Sequence, residues 1–286
     1  GGRTLDVPGT LLVTAGLARV VYGLIEGEPR RWDPAILATI AAGLLVLAVF
    51  VLVERGRQER EPLLPFAVLR ERNFTVTSLA VWTLPCSLGA MLFLTMIYLQ
   101  TVLGLSALHA GLLVAVAPAV SVAVSPLSGK LIDAFHGKYV MICGFALFAA
   151  GIAVIALSAT AGADGWRLVP GLVVFGVGMG VIAAPPGAVA LRDIEERHAG
   201  AASGLFNMSR VCGNALGGAA VGALLQIRLA AWGGTLTPAS DAQREALAHA
   251  VRETYLFPVG VLLLAVAISF AVRRAPAPAL SPALGG

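Results

Sequence analysis

Ser203, Asn207, Arg210 and Asn214 are spaced by four, three and four residues. At 100° per residue a helix brings them within about 60° of one another, on one face. A hydroxyl, two amides and a guanidinium are hydrogen-bonding groups; they suit binding, bridging or switching between partners. They sit inside an apolar run, 200–227, and Arg210 lies about ten residues in, roughly 15 Å along a helix axis. With lipid around that run, an exposed arginine at such depth costs at least ~2.5 kcal/mol. The stripe must therefore face protein or water. Two readings stand: a cavity-lining or interhelical switch, and a static hydrogen-bonded strut between helices. On the adjoining face, Gly213-x-x-x-Gly217 and Gly218-x-x-x-Gly222 permit close helix approach.

Groups for bond-making chemistry are scarce elsewhere. His109, His136, His198 and His249 fall in different segments without metal spacing, and no serine sits in G-x-S-x-G. "RDIEER" is acidic but has no second acidic cluster with which to share a metal. Cys86, Cys143 and Cys212 lie inside apolar runs and read as small buried hydrophobes. "GVGMGVIAAPPG" lacks the spacing, the preceding strand and the polar turn of a dinucleotide fingerprint. Its glycines and Pro185–Pro186 point to close packing and a helix break. No catalytic residue and no metal site is assigned. Two further features lie at membrane depth. Arg19 and Glu26 are two turns apart on one face and can share charge, with a structural or lipid-facing role favoured. Trp82 and Pro85 lie well inside another run, with Thr83, Ser87 and Met91 on one face. Trp82 either packs or stacks on an aromatic or cationic ligand.

The elements that must position these residues follow from composition. Of 286 residues 58% are hydrophobic and 13% charged, with a mean hydropathy of +0.86. Soluble domains carry roughly 25% charged residues, so lipid must be the solvent for most of this surface. The net charge of +4 reflects basic residues set between apolar runs rather than in a patch, which argues against nucleic acid. Eight stretches reach spanning length: 8–26, 35–53, 74–99, 108–128, 139–160, 168–190, 200–227 and 254–272. They show none of the alternation of a strand barrel. The expected fold is an all-α membrane protein of about eight transmembrane helices, with no cleavable secretory signal.

An even number of spans puts both ends on one side. Twelve lysines and arginines fall on that side (Arg3, Arg55, Arg57, Arg60, Arg70, Arg72, Lys130, Lys138, Arg192, Arg197, Arg273, Arg274) and six on the other (Arg30, Arg31, Arg167, Arg228, Arg244, Arg252). The asymmetry predicts cytoplasmic termini. The layout reads as a two-helix pair (1–53), a cytoplasmic connection (54–73) with a short interfacial helix at "LLPFAVL", and a six-helix unit (74–286). In the longest outer loop Ser240 caps a short polar helix.

At this point the residues resemble a known family. "LDVPGTLLVTAGLARVVYGLIEG", "EPLLPFAVLRERNF", "YLQTVLGLSALHAGLL", "SPLSGKLIDAFHGK" and "AGAASGLFNMSRVCGNALGGAAVGALL" occur in order over nearly the whole chain. Together they look like the C-terminal portion of a fourteen-span drug:proton antiporter of the major facilitator superfamily. The resemblance implies that the pair is the family's extra insertion, and that the six following spans are its C-terminal half. The N-terminal six-helix half, with the proton-coupling acid, would lie upstream, and the opening "GGRTLD", without methionine, fits a piece of a longer polypeptide. It implies two halves rocking around a small-molecule substrate in a bilayer, driven by a proton gradient, with no bound cofactor. An exporter of a self-made metabolite, an uptake symporter, a non-transporting scaffold and a membrane-embedded enzyme are the alternatives. No carboxylate of this chain reads as mid-membrane. Tyr98 and Gln100 match the family's "YLQ" pattern at the outer end of their helix. The residues Gly129, Lys130, Asp133, Gly137 and Lys138 resemble the superfamily's gate-bracing loop. Gly129 would let the helix end turn, Asp133 would accept from a helix N-terminus, and the lysines would hold the cytoplasmic face. Ala134 stands where an arginine is expected, and one extra residue precedes Gly137, so a plain basic turn is the other reading.

Overall fold

The structure, a computed structural model, describes residues 7–27, 30, 33–56, 66–195, 198–238 and 240–272. Among the described residues there are helices and no strands. The first pair is α1 (Val7–Gly27) and α2 (Pro34–Gly56). Asp33 starts α2 by accepting the Ile36 amide at 2.8 Å. The two helices touch where side chains are smallest: a Cβ on Gly43 would lie 2.9 Å from the Gly16 carbonyl oxygen. Arg19 is exposed and reaches back to the Ala15 carbonyl at 3.4 Å. Glu26 pairs with Arg30 at 3.4 Å, so the expected sharing with Arg19 is replaced by the closer i,i+4 partner.

A short helix, α3 (Phe66–Arg70), then leads into α4 (Arg72–Ile97). Its Val68 packs with Phe74, Ala190 and Ala202, tying the connection to the six-helix unit. The unit continues through α5 (Ala107–Val114), α6 (Val116–Ala134), α7 (Gly137–Ser158), α8 (Val169–Val181), α9 (Pro185–Leu191), α10 (Ala199–Ala231), α11 (Asp241–Thr254) and α12 (Leu256–Ser269). Its neighbours run α10, α4, α12, α7, α8, α6, and α1 lies against α10. Among the described residues seven helices, counted through their breaks, are long and apolar enough to cross a membrane. In α1 the apolar stretch is the shorter Leu11–Gly23, because Thr14 and Arg19 dilute it.

Glycine sets the spacing in the middle of the unit. A Cβ on Gly151 would lie 2.5 Å from Phe175 Cα, and one on Gly178 would lie 2.5 Å from the Phe148 amide nitrogen. Gly176 and Gly180 press in the same way on the backbone of α6. Residues two apart on a helix point to different sides, so "GVGMG" lets α8 approach α6 and α7 together. Beyond Val181 the helix breaks and restarts at Pro185, whose missing N–H is harmless in a first turn. The carbonyl of Val181, near the break, is satisfied by the Ser128 hydroxyl at 3.0 Å. At the other end α4 closes in a π-helical turn, Tyr98–Val102, followed by Gly104 at φ +69°, a conformation only glycine adopts without strain. Cys86 is buried, whereas Cys143 is exposed on α7, so only one of these two behaves as a core residue.

Candidate functional site

The polar stripe lies on α10, whose neighbouring face is pressed against α4. A Cβ on Gly213 would fall on the carbonyl oxygen of Trp82, and one on Gly217 would lie 2.5 Å from Cys86 Cα. Trp82, Pro85, Cys86 and Gly89 recur at helical spacing and form the α4 side of this seam. Asn214 reaches across it: its Oδ1 lies where a Cβ on Gly89 would come within 2.9 Å. Two helices thus meet backbone to backbone, and the side chains beside the seam are held at a fixed height.

Ser203 is half-buried, and Asn207, Arg210 and Asn214 are exposed. Asn207 donates to the Ser203 carbonyl of its own helix at 3.1 Å. Among the described residues, Arg210 makes no hydrogen bond or ion pair. No helix of this unit holds the guanidinium, so the stripe presents a full charge and two amides along one spanning helix. Trp82 is half-buried in the seam beside it. The face carrying Thr83, Ser87 and Met91 turns the other way, into the core: Ser87 donates to the Pro258 carbonyl at 3.2 Å.

Tyr98 is fully buried, and its hydroxyl is engaged twice by the turn after α7. It donates to the Thr160 carbonyl at 2.8 Å and accepts the Thr160 amide at 3.1 Å. Gln100 is exposed, and its amide lies 3.6 Å from Met96 Sδ. Neither residue meets the stripe, which belongs to another stretch of the unit. A second buried pair joins Thr95 and Tyr255 at 2.7 Å between α4 and the junction of α11 and α12.

The basic turn differs from its expected shape. The helix does not end at Gly129 but continues to Ala134, leaving Phe135 and His136 as the turn. Gly129 has open space where a Cβ would be and no left-handed φ. It therefore does not turn the helix end; it lies within the last turns of α6, on an uncovered side. Lys130 is exposed, and the side chain of Asp133 lies outside the described residues. Gly137 is the close contact, 2.9 Å from Val189 Cγ2 of α9 to its would-be Cβ. Lys138 donates to the Phe270 carbonyl at 2.6 Å, and Arg72 Nε to the Ala271 carbonyl at 3.1 Å. Two cations thus cap the end of α12, where the helix dipole is negative.

The sequence marked Arg72 only as a topology signal and Lys138 as a gate-loop lysine, and did not single out Asn73. Its amide donates to Asp193 at 2.8 Å, while Arg192 grips the same carboxylate with two bonds of 3.0 Å. The Arg192 hydrogen bonds, with help from Asn73, hold the Asp193 carboxyl below its ordinary range despite partial burial. The signal was present in "RERN" and "RDIEER", polar clusters at helix ends on one side of the membrane. Glu54, near the end of α2, is fully buried, and among the described residues it is the one carboxylate so placed.

Among the described residues no group of histidines, cysteines and acids gathers as a metal site. An uncharacterized MFS-type transporter of Mycobacterium tuberculosis is 31% identical over 272 residues, 90% of this chain and 47% of its own. The probable actinorhodin transporter of Streptomyces coelicolor is 30% identical over 225 residues, covering 77% of this chain and 39% of that protein. A puromycin resistance protein of Streptomyces alboniger is 30% identical over 275 residues, 93% of this chain and 53% of its own. The chain spans about half the length of the curated relatives it matches. Residues 9–218 match the Major Facilitator Superfamily, a run that takes in nearly all of the first helix pair and the whole stripe. The chain is a multi-pass membrane protein and belongs to the Major Facilitator Superfamily of transporters.

Proposed function

We propose that the protein is a secondary active exporter of small hydrophobic or cationic compounds, driven by a proton gradient and working by alternating access. The observation that carries this reading is Arg210. It is exposed at membrane depth, unpartnered among the described residues, and flanked by Asn207 and Asn214. A charge left in that state on a spanning helix needs a second protein surface or a water-filled path. A six-helix N-terminal half of the same polypeptide, facing α10, supplies that surface, and the proton-coupling acid belongs to it. The names of the actinorhodin and puromycin relatives support drug-like cargo. Trp82, Ser203, Asn207, Arg210 and Asn214 are assigned to the cargo path or to a switch between helices. Tyr98 and Gln100 brace its outer end. Gly129, Lys130, Asp133, Gly137 and Lys138, at the facing ends of α6 and α7, brace the cytoplasmic gate, with the chain ends in the cytoplasm. No resident cofactor is needed.

The test is transport per folded molecule in the full-length protein. Arg210→Lys keeps the charge but loses the planar fork that can bond two groups at once. It is expected to lose most transport while membrane abundance and melting temperature stay near wild type. Unchanged turnover in Arg210→Lys would remove the stripe from the mechanism. Orientation is read separately, in a background without native cysteines. Lys138→Cys should be shielded from an impermeant thiol reagent in intact cells, and Thr237→Cys labelled; the reverse pattern inverts the gate assignment.

A further inference from the structure

At the end of the bundle opposite the Lys138 turn, a cleft of about 260 Å³ lies between the turn after α7 and the side of α11. Helix α11 lines it with Glu245, His249 and Arg252, at i, i+4 and i+7 on one face. Arg252 is half-buried, and among the described residues its guanidinium has neither an ion pair nor a hydrogen bond. The adjacent acid is already engaged: Glu253 pairs with Arg228 at 3.3 Å and accepts from Trp232 Nε1 at 3.2 Å. His249 is held in place by stacking on Trp232, with 4.7 Å between ring centres and 15° between planes.

Across the cleft, the Thr160 carbonyl accepts from Tyr98 and from the Ala163 amide. The Ala161 and Gly162 amides of that turn have no acceptor among the described residues. Two successive free amides opposite an unpaired guanidinium are the fixed dipoles and charge that hold an oxyanion. Glu245 is exposed at the other end of the row, roughly 10 Å along the helix axis from Arg252. Its carboxylate repels a bare dianion and attracts an amine. Trp166 and Trp232, 68% and 46% exposed at this same end, mark the level where aromatic rings meet lipid headgroups. Leu256, one turn beyond Arg252, is 67% exposed, so the bilayer begins next to the cleft.

We propose that this cleft binds an amine-bearing phosphate ester, its phosphate at Arg252 and the Ala161–Gly162 turn and its ammonium at Glu245. Two sources carry that chemistry, the headgroup of phosphatidylethanolamine and free phosphoethanolamine. The full-length protein is extracted from vesicles holding equal phosphatidylethanolamine and phosphatidylcholine, and retained lipid is read by native mass spectrometry. Melting is followed in detergent with and without phosphoethanolamine. Retention of the ethanolamine lipid over the choline lipid, falling about tenfold in Arg252→Gln and largely kept in Arg252→Lys, supports the lipid source. An Arg252-dependent rise in melting temperature with phosphoethanolamine, without lipid preference, supports the soluble source. Glu245→Gln changes an exposed residue and decides the matter even where Arg252→Gln does not accumulate. It should abolish the discrimination against the methylated, N–H-free choline group. Wild-type protein with neither preference nor shift, or a Glu245→Gln protein that still discriminates, overturns the proposal.

Discussion

Helix α10 presents two neighbouring faces in opposite states. On one, Gly213 and Gly217 lie on the backbone of α4 with no room for a single carbon. On the other, Asn207 and Arg210 stand exposed, and the arginine has no partner among the described residues. The same contrast recurs at the basic turn, where Gly137 is packed on Val189 and Gly129 faces open space. Where a glycine is pressed on a neighbouring backbone the contact is complete within the described residues, whereas the polar stripe and Gly129 are left uncovered by them. Within a bilayer, where apolar burial alone does not hold helices together, such close backbone packing fixes the unit's shape.

Overfilling the closed face gives the largest effect. Gly213→Val drives a branched side chain into the Trp82 carbonyl, which cannot move without α4. It should destabilise by about 3 kcal/mol or more, read as loss of monodisperse protein in detergent; near-normal yield and melting would break the contrast. Tyr255→Phe tests the core on the far side of α4. It leaves the buried Thr95 hydroxyl with only the carbonyl and sulfur of Met91 on its own helix and should cost about 1 kcal/mol, seen as a lower melting temperature.

On the open face the sign reverses. Gly129→Ala meets nothing within 4 Å and sits in a helix, so it should stabilise this chain on its own by about 0.5–1 kcal/mol. If the same change impairs the full-length protein, a partner closely approaches that spot. The smallest effect belongs to Asp193. Its carboxyl is held below the ordinary range by Arg192, so the stabilisation is present above the unfolded value, near pH 4, and fades as pH falls through the lower folded value. Because the pair is partly exposed, Asp193→Asn should cost about 0.5 kcal/mol at pH 7. The gap in melting temperature should close below roughly pH 4.

Much of this architecture was legible because long apolar runs admit one backbone solution in lipid. The break at Pro185 was readable from its two prolines, and the cap at Ser240 from the polar segment after it: Ser240 accepts the Gln243 amide at 3.3 Å. The end of α6 was not, because Gly129 to Ala134 can be helix or turn and the choice rests on packing against α8 and α9. Likewise nothing local announces the interruption at Ala115, between α5 and α6. The periodicity that aligned Ser203, Asn207, Arg210 and Asn214 said nothing of what faces them. Pairs such as Thr95 with Tyr255, or Tyr98 with Thr160, join residues distant in sequence, and spacing along one helix carries no trace of them.

The junction at Tyr255 has a mechanical side. Backbone hydrogen bonds bridge it, Tyr255 to the Val251 carbonyl at 3.1 Å and Val259 to the Tyr255 carbonyl at 3.3 Å, while Pro258 between them has no N–H to give. The 29 residues of Asp241–Ser269 amount to about 43 Å of helical rod. A hydrocarbon layer is about 30 Å thick, so over a quarter of the rod stands clear of it. Its far tip is pinned by Lys138 and Arg72. The other tip is held as well, because Leu247, Ala250 and Val251 of α11 are buried in the core and Glu253 grips Arg228. The two ends of the bundle are thereby tied together through one long element, by cations at one tip and by apolar packing at the other.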